Sequence, residues 1–243
     1  MQWSDEGIVL SSRTHGETSA IVELLTRSHG RHLGLVRGGR SKRLRPVLQA
    51  GNLVTAQWRA RLSEHLGSYS VELLEAHAAR VLDDRAALAG LNTLTALARL
   101  LPEREPHGPL YEAGVMVLTA LSEGDHWSAL LVRWELGLLD ELGFGLDLGS
   151  CAATGEASHL VYVSPKSGRA VSRDAGKPYK DKLLVLPGFL MPGKGADLAR
   201  DDIVNGFQLT GYFLDKHVWG PRDIKPPPAR ARMITLIADQ AGC

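Results

Sequence analysis

The residues with the most chemical potential lie in one run, "HGRHLGLVRGGRSKRLRP", at positions 29–46. The run holds Arg31, Arg37, Arg40, Lys42, Arg43 and Arg45, two histidines and no acid. The acid-free zone extends from Leu24 to Ser63, between Glu23 and Glu64, and so takes in Arg27; Arg13 lies shortly before it. Cations at this density can neutralise successive phosphates and release their counterions. The chain as a whole carries only +1, so the excess is local: residues 1–78 carry +3 and the remainder −2. A solvated basic face with no partner has the same composition. Where the fold places the run therefore decides what it can do.

The other candidates are weaker. In "LLVLPGFLMPGKGADL", Gly188, Gly193 and Lys194 have the spacing of a phosphate-binding P-loop. That loop needs Ser or Thr after the lysine to hold magnesium, and Gly195 stands there. The chain that follows is too short for the rest of a parallel nucleotide-binding sheet, so a Gly/Pro surface loop is the simpler reading. His29 and His32 are three apart, but no H-E-x-x-H and no cysteine pair accompanies them; they read as exposed histidines in a basic region. Cys151 and Cys243 are too distant to suggest a disulfide framework and point to a reducing compartment. No G-x-S-x-G elbow occurs, and nothing pairs the carboxylates. These readings predict no enzyme, no cofactor and no metal.

The elements that must position the basic run come from hydrophobic period. Segments "GIVLSSRT", "SAIVELLTR", "HLGLVRGG", "NLVTAQWRA" and "GSYSVELLEAH" read as strands. Val54, Ala56 and Trp58 share one face, and Tyr69, Val71 and Leu73 another. Five short strands within the first 78 residues suit the five-stranded oligonucleotide-binding (OB) barrel. The run "RGGRSKRLRP" follows the third strand and reads as an exposed loop whose Gly38 and Gly39 allow close approach to a ligand backbone. Sequence-tolerant strand binding normally adds aromatic platforms. The barrel region offers only Trp3, Trp58 and Tyr69, so contacts to phosphate should outweigh contacts to bases.

The period then becomes helical. Leu88, Leu91, Leu94, Leu97 or Ala98, and Leu101 form one stripe, with Asp83 or Asp84 as cap and Pro102 as stop. "PLYEAGVMVLTALSEG" is a second helix. A third starts near Asp125 and carries Trp127, Leu130, Leu131, Trp134, Leu138 and Leu142. Residues 150–182 break the pattern, with a hairpin around "SPKSG". Ile203, Phe207, Thr210, Leu214 and Val218 mark another helix, and "RARMITLIAD" a last one. The predicted class is α+β: a barrel over residues 1–78, then a mainly helical domain over 79–243 with an irregular, partly β insertion at about 150–182. The 44% hydrophobic and 23% charged content suits a globular protein. The N-terminus lacks a leader pattern and the apolar runs are too short to span a bilayer, which predicts a cytoplasmic protein without membrane contact.

Two blocks resemble a known family, the bacterial recombination mediators of the RecO type. They are "GIVLSSRTHGETSAIVELLTRSHGRHLGLVRGGRSKR" and, about 100 residues on, "RWELGLLDELGFGLDLGSCAATGE". The resemblance implies an OB barrel and a helical domain, binding of single- and double-stranded DNA, and annealing of complementary strands. It also implies partnership with RecR, binding of the acidic tail of single-strand-binding protein (SSB), and help in loading RecA. Many relatives hold zinc with two Cys-x-x-Cys pairs. Here Cys151 stands alone, with Thr154, Ser172 and Ala175 near the other three places. A lone thiol cannot make that site, so the insertion should be held by packing and hydrogen bonds, or be mobile.

The expectation is a DNA-binding mediator. Arg37, Arg40, Lys42, Arg43 and Arg45 would grip phosphate, with Arg13, Arg27 and Arg31 nearby. Arg133, beside Trp134 on the third helix, is a candidate rim for the SSB tail. The alternative is a non-enzymatic adaptor whose basic barrel binds RNA or an acidic protein.

Overall fold

The computed structural model describes residues 1–62, 64–124, 126–191 and 198–239. Ser63, the suggested cap Asp125, Gly193, Lys194 and Gly195 of the P-loop-like run, and Cys243 lie outside the described residues. By internal contacts the chain divides into two compact units, Met1–Trp127 and Ser128–Cys243.

The first unit opens with β1 (Gln2–His15), β2 (Ser19–Thr26), β3 (Gly30–Val36), β4 (Leu53–Arg59) and β5 (Ser68–Glu75). They close into a barrel of order β1-β2-β3-β5-β4, an OB-type arrangement. β1 is long enough to serve two partners: Gln2–Ile8 pairs with β4, and Gly7–His15 pairs with β2 across a bulge between Val9 and Ser11. Closure comes from the parallel pairing of Leu35 and Val36 with Ser68 and Tyr69. Alternation then fills the interior with Val9, Val22, Leu24, Val54, Ala56, Trp58, Tyr69 and Val71. Leu73 departs from its expected face: the register shifts where β5 meets Leu53 and Val54 of β4, and Leu73 is 42% exposed.

Among the described residues, three helices complete this unit: α1 (His77–Arg80), α2 (Arg85–Ala98) and α3 (Gly108–Glu123). Asp84 caps α2, its carboxylate accepting from the N–H groups of Ala86 and Ala87. The helix ends at Ala98, short of Pro102, yet Leu101 stays buried with Leu91, Leu94 and Leu97. Asn52 ties strand to helix: its Oδ1 accepts from Ala78 N, and its Nδ2 donates to the carbonyls of Pro46 and Val47. Gly51 has φ +88°, and a Cβ there would lie 2.5 Å from Leu91 Cδ1, so α2 packs directly on this turn. The acid at the edge of the basic zone is used internally. Glu23 is 3% exposed and takes Ser11 Oγ, the Arg31 guanidinium and Arg99 Nε. Burial pushes its carboxyl up, but the Arg31 hydrogen bond and the Arg99 charge outweigh that and hold it below the ordinary value.

The second unit contains most of α4 (Trp127–Glu141), then β6 (Leu160–Val163), β7 (Ala170–Ser172), α5 (Arg173–Gly176), a 3₁₀ turn (Lys177–Lys182) and β8 (Leu184–Val185). A second 3₁₀ turn (Gly188–Leu190), α6 (Arg200–Leu214), a π-helical turn (Asp215–Trp219), α7 (Gly220–Arg222) and α8 (Pro228–Asp239) follow. The expected hairpin around "SPKSG" is present, with Gly168 N donating to Ser164 O between β6 and β7. Ile203, Phe207, Thr210, Leu214 and Val218 are all buried as their spacing predicts. A charged group sits among them. Glu135 of α4 is fully buried and receives Arg230 Nε and Nη2 at 2.8 Å each, with the Thr210 hydroxyl completing the set.

Cys151 is buried and hydrogen-bonded within the insertion. Cys151 Sγ lies 3.4 Å from Ser172 Oγ and accepts from Ser172 N at 3.2 Å. Ala152 N donates to Ala170 O, and Gly155 N to Cys151 O. Burial pushes the thiol up; hydrogen bonds from Ser172, Thr154 and the Ala153 backbone together bring it down to about 6. One thiol, two hydroxyls and the methyl of Ala175 do not fit tetrahedral zinc. Hydrogen bonds hold the insertion.

Candidate nucleic-acid interface

The basic run is a folded plug rather than an open loop. After β3 the chain makes successive turns: Ser41 Oγ accepts from Leu44 N, Arg45 N donates to Ser41 O, and Leu48 N to Leu44 O. This spacing puts Leu44, Val47 and Leu48 against the barrel core. Lys42 and Arg43, just before Leu44, and Arg45, just after it, are exposed. The glycines act inward. Gly39 is buried, and a Cβ on it would lie 2.8 Å from Ala20 Cβ. Its close approach is to β2, which corrects the expectation that it faces a ligand. Gly38, at φ +66°, makes the turn that brings it there.

Arg40 pins this plug to the β1–β2 turn, donating to the carbonyls of Gly16 at 3.2 Å and Glu17 at 2.7 Å. On its side a groove is lined by Ser12, Thr14, Arg40 and Arg45. A second groove runs over β4 and β5, lined by Arg37, Arg43, Gln57, Arg59, Ser68 and Ser70. Arg13 is exposed on β1 and lines neither. Among the described residues, no ion pair engages Arg13, Arg37, Arg40, Lys42, Arg43, Arg45 or Arg59. These groups keep their charge available to an anion.

Two of the expected residues are engaged by acids. Arg31 is turned inward, held by Glu23, Glu103 and the Leu101 carbonyl. Arg27 pairs with Glu112 at 2.6 Å and lies 5.7 Å from the Tyr111 ring centre. The Glu112 hydrogen bond keeps its guanidinium even more firmly charged than usual. Both cations are matched by acids from distant parts of the sequence. The histidines also differ from expectation. His32 is 4% exposed, and burial lowers its pKa to about 4. His29 Nδ1 lies 3.0 Å from Asp5 Oδ2, and its ring stacks on Trp3 at 4.2 Å. Trp3 stacks in turn on Trp58, 5.7 Å away, so the barrel's aromatics satisfy each other.

Arg59 was not singled out by the sequence reading, though its signal was there. It lies inside the acid-free zone, and the inward alternation of Val54, Ala56 and Trp58 sends Gln57 and Arg59 outward. In the second unit, Arg133 is exposed while its Nη2 donates to the Phe189 carbonyl.

Comparison with known proteins decides the family. Residues 1–77 match the family model "Recombination protein O N terminal" and residues 82–223 match "Recombination protein O C terminal". This chain belongs to the RecO family. It is 56% identical to the DNA repair protein RecO of Methylobacterium nodulans, over the whole of both chains. It is 55% identical to the DNA repair protein RecO of Mesorhizobium japonicum, covering 98% of this chain and 94% of that one. A RecO of Rhodopseudomonas palustris is 53% identical over 240 residues. The matches to RecO relatives span both units, barrel and helical region alike. No described helix is long and apolar enough to cross a membrane.

Proposed function

We propose that this RecO-family chain is a DNA-binding recombination mediator in DNA repair. The observation that carries this reading is the cationic surface of the first unit, free of ion pairs among the described residues, with Arg37, Arg43 and Arg59 in one groove and Arg40 and Arg45 in another. Single- and double-stranded DNA bind there through phosphate, with little reading of sequence. Annealing follows from the same electrostatics. Two strands repel each other, and a fixed cationic surface lowers that repulsion without selecting bases. The site is set on a barrel end whose plug is anchored by Leu44, Leu48, Arg40 and Asn52.

With RecR, the chain helps load RecA on SSB-coated single strands in the cytoplasm. The acidic SSB tail meets the second unit, where Arg133 is a candidate contact. Its guanidinium is oriented by Phe189 O, and the Trp134 ring beside it is buried.

The test is Arg40→Ala/Lys42→Ala/Arg43→Ala. Removing three phosphate contacts should lower the slope of log affinity against log salt by about 2 on single strands, and affinity by at least about tenfold. Annealing of complementary oligonucleotides should slow in parallel. Unchanged affinity and slope would remove the barrel from the DNA-binding surface. Preferential competition by RNA of the same sequence would favour a different nucleic-acid partner.

A further inference from the structure

The insertion of the second unit carries a cationic surface of its own that the reading above does not use. Its α5 helix runs without a break into the 3₁₀ turn Lys177–Lys182, sequence KPYKDK. In a 3₁₀ helix the side chains at i and i+3 eclipse. Lys177 and Lys180 therefore share one line, Tyr179 and Lys182 a second, and Pro178 and Asp181 the third. Tyr179 is 61% exposed, the most exposed aromatic ring among the described residues. No described residue forms an ion pair with Lys177, Lys180 or Lys182, nor does any ring pack on Tyr179. Asp174 and Asp181 are the acids of the segment, and both are exposed.

This turn is held at both ends. At its start Gly176 is buried, and a Cβ there would lie 2.5 Å from the Tyr162 ring, so the chain packs directly on β6. At its end β8 pairs with β6 through Tyr162–Val185 and Val163–Leu184. Tyr179 is thus an aromatic ring displayed on a fixed element between ammonium groups. Burying it inside the unit would have stabilised the fold, yet the fold leaves it outside. The barrel shows the opposite pattern: Trp58 is 2% and Tyr69 5% exposed, while Arg37, Arg43 and Arg59 are exposed.

We propose that the Lys177–Lys182 turn is a second nucleic-acid contact, specific for single strands. Tyr179 stacks on one unpaired base, and Lys177, Lys180 and Lys182 take the flanking phosphates. A duplex offers its phosphates but not the face of a stacked base, so the ring discriminates between the two forms. This inference rests on the reading of the chain as DNA-binding but not on the barrel residues.

The test uses the full chain with Tyr179→Ala, Tyr179→Phe and Lys177→Ala/Lys180→Ala/Lys182→Ala, on single-stranded and duplex oligonucleotides of equal length. Tyr179→Ala should weaken single-strand binding about five- to tenfold, leave duplex binding within about twofold, and keep the salt slope. Tyr179→Phe should bind single strands as the parent does. The triple lysine variant should lower the salt slope by about 2 on single strands. An oligonucleotide containing 5-iodouracil should crosslink to Tyr179 on irradiation. Equal loss on both DNA forms, or no loss with no crosslink, overturns the proposal. Arg40→Ala/Lys42→Ala/Arg43→Ala, measured alongside, separates that result from failure of the barrel surface.

Discussion

Arg230 in the second unit and Arg43 in the first carry the same guanidinium in opposite surroundings. Arg230 is 7% exposed and gives two hydrogen bonds to the fully buried Glu135. Arg43 is exposed, faces a groove and has no acid against it among the described residues. Arg31 stands with Arg230, although it comes from the same basic run as Arg43. An arginine's role here is set by whether a carboxylate from elsewhere in the chain reaches it. Charge density along the sequence marks the neighbourhood of the exposed cationic surface, and the long-range partners select which arginines stay on it.

The comparison is broken most severely at Arg230. Replacing it with Met leaves Glu135 buried without a counter-ion, which should cost about 3–5 kcal/mol of unfolding free energy. Arg230→Met combined with Glu135→Leu should recover most of that loss, because the desolvated carboxylate is gone. Urea unfolding of the two variants measures the difference. If the single variant is as stable as the double, the pair does not hold the second unit together. DNA affinity at temperatures where both variants are folded should be unchanged.

A smaller effect lies under the basic surface, at His32. Burial lowers its pKa from 6.5 to about 4, with Arg104 and His29 adding to the shift and its hydrogen bond to Leu33 O opposing it. The folded chain therefore refuses a proton that the unfolded chain accepts. Its contribution is present above pH 6.5 and lost as pH falls towards 4, by about 3 kcal/mol in total. Burial lowers His77 and His217 as well, which adds loss of the same sign. His32→Phe should flatten the fall in urea midpoint between pH 7 and pH 4.5. An unaltered profile would mean that His32 is protonated in the fold.

Much of this molecule is legible in its sequence because local periods determine it. The alternation of Val54, Ala56 and Trp58, the turn glycines and the leucine stripe of α2 each express a rule acting within a few residues. Five short strands in so little chain already suit a closed OB barrel, and the family resemblance implies the same fold. What escaped was set by distant partners. Glu23 draws Arg31 inward because strand pairing sets Glu23 opposite Leu33, close to Arg31, and α2 brings up Arg99. His32 is buried because Trp3, Trp58 and Tyr69 converge on it from three strands. Glu135 on α4 can be buried because α8 delivers Arg230, 95 residues away. Tyr179 was passed over because exposure is a property of the finished fold, and "KPYKDK" has no period to announce it.

The finest test sets Arg59 against Arg31, two cations of the acid-free zone with opposite placement. Arg59→Ala removes an exposed side chain with no ion pair among the described residues. Stability should stay within about 0.5 kcal/mol, while the salt slope for single-strand binding falls by about 0.7, the share of one phosphate contact. Arg31→Ala should do the reverse. It leaves Glu23 buried with only Arg99 as counter-ion, so stability falls while the salt slope stays. The two variants share a barrel, a charge change and a substituent. If both shift the salt slope equally, the buried pair with Glu23 does not withhold Arg31 from DNA, and the selection of cations by long-range acids fails.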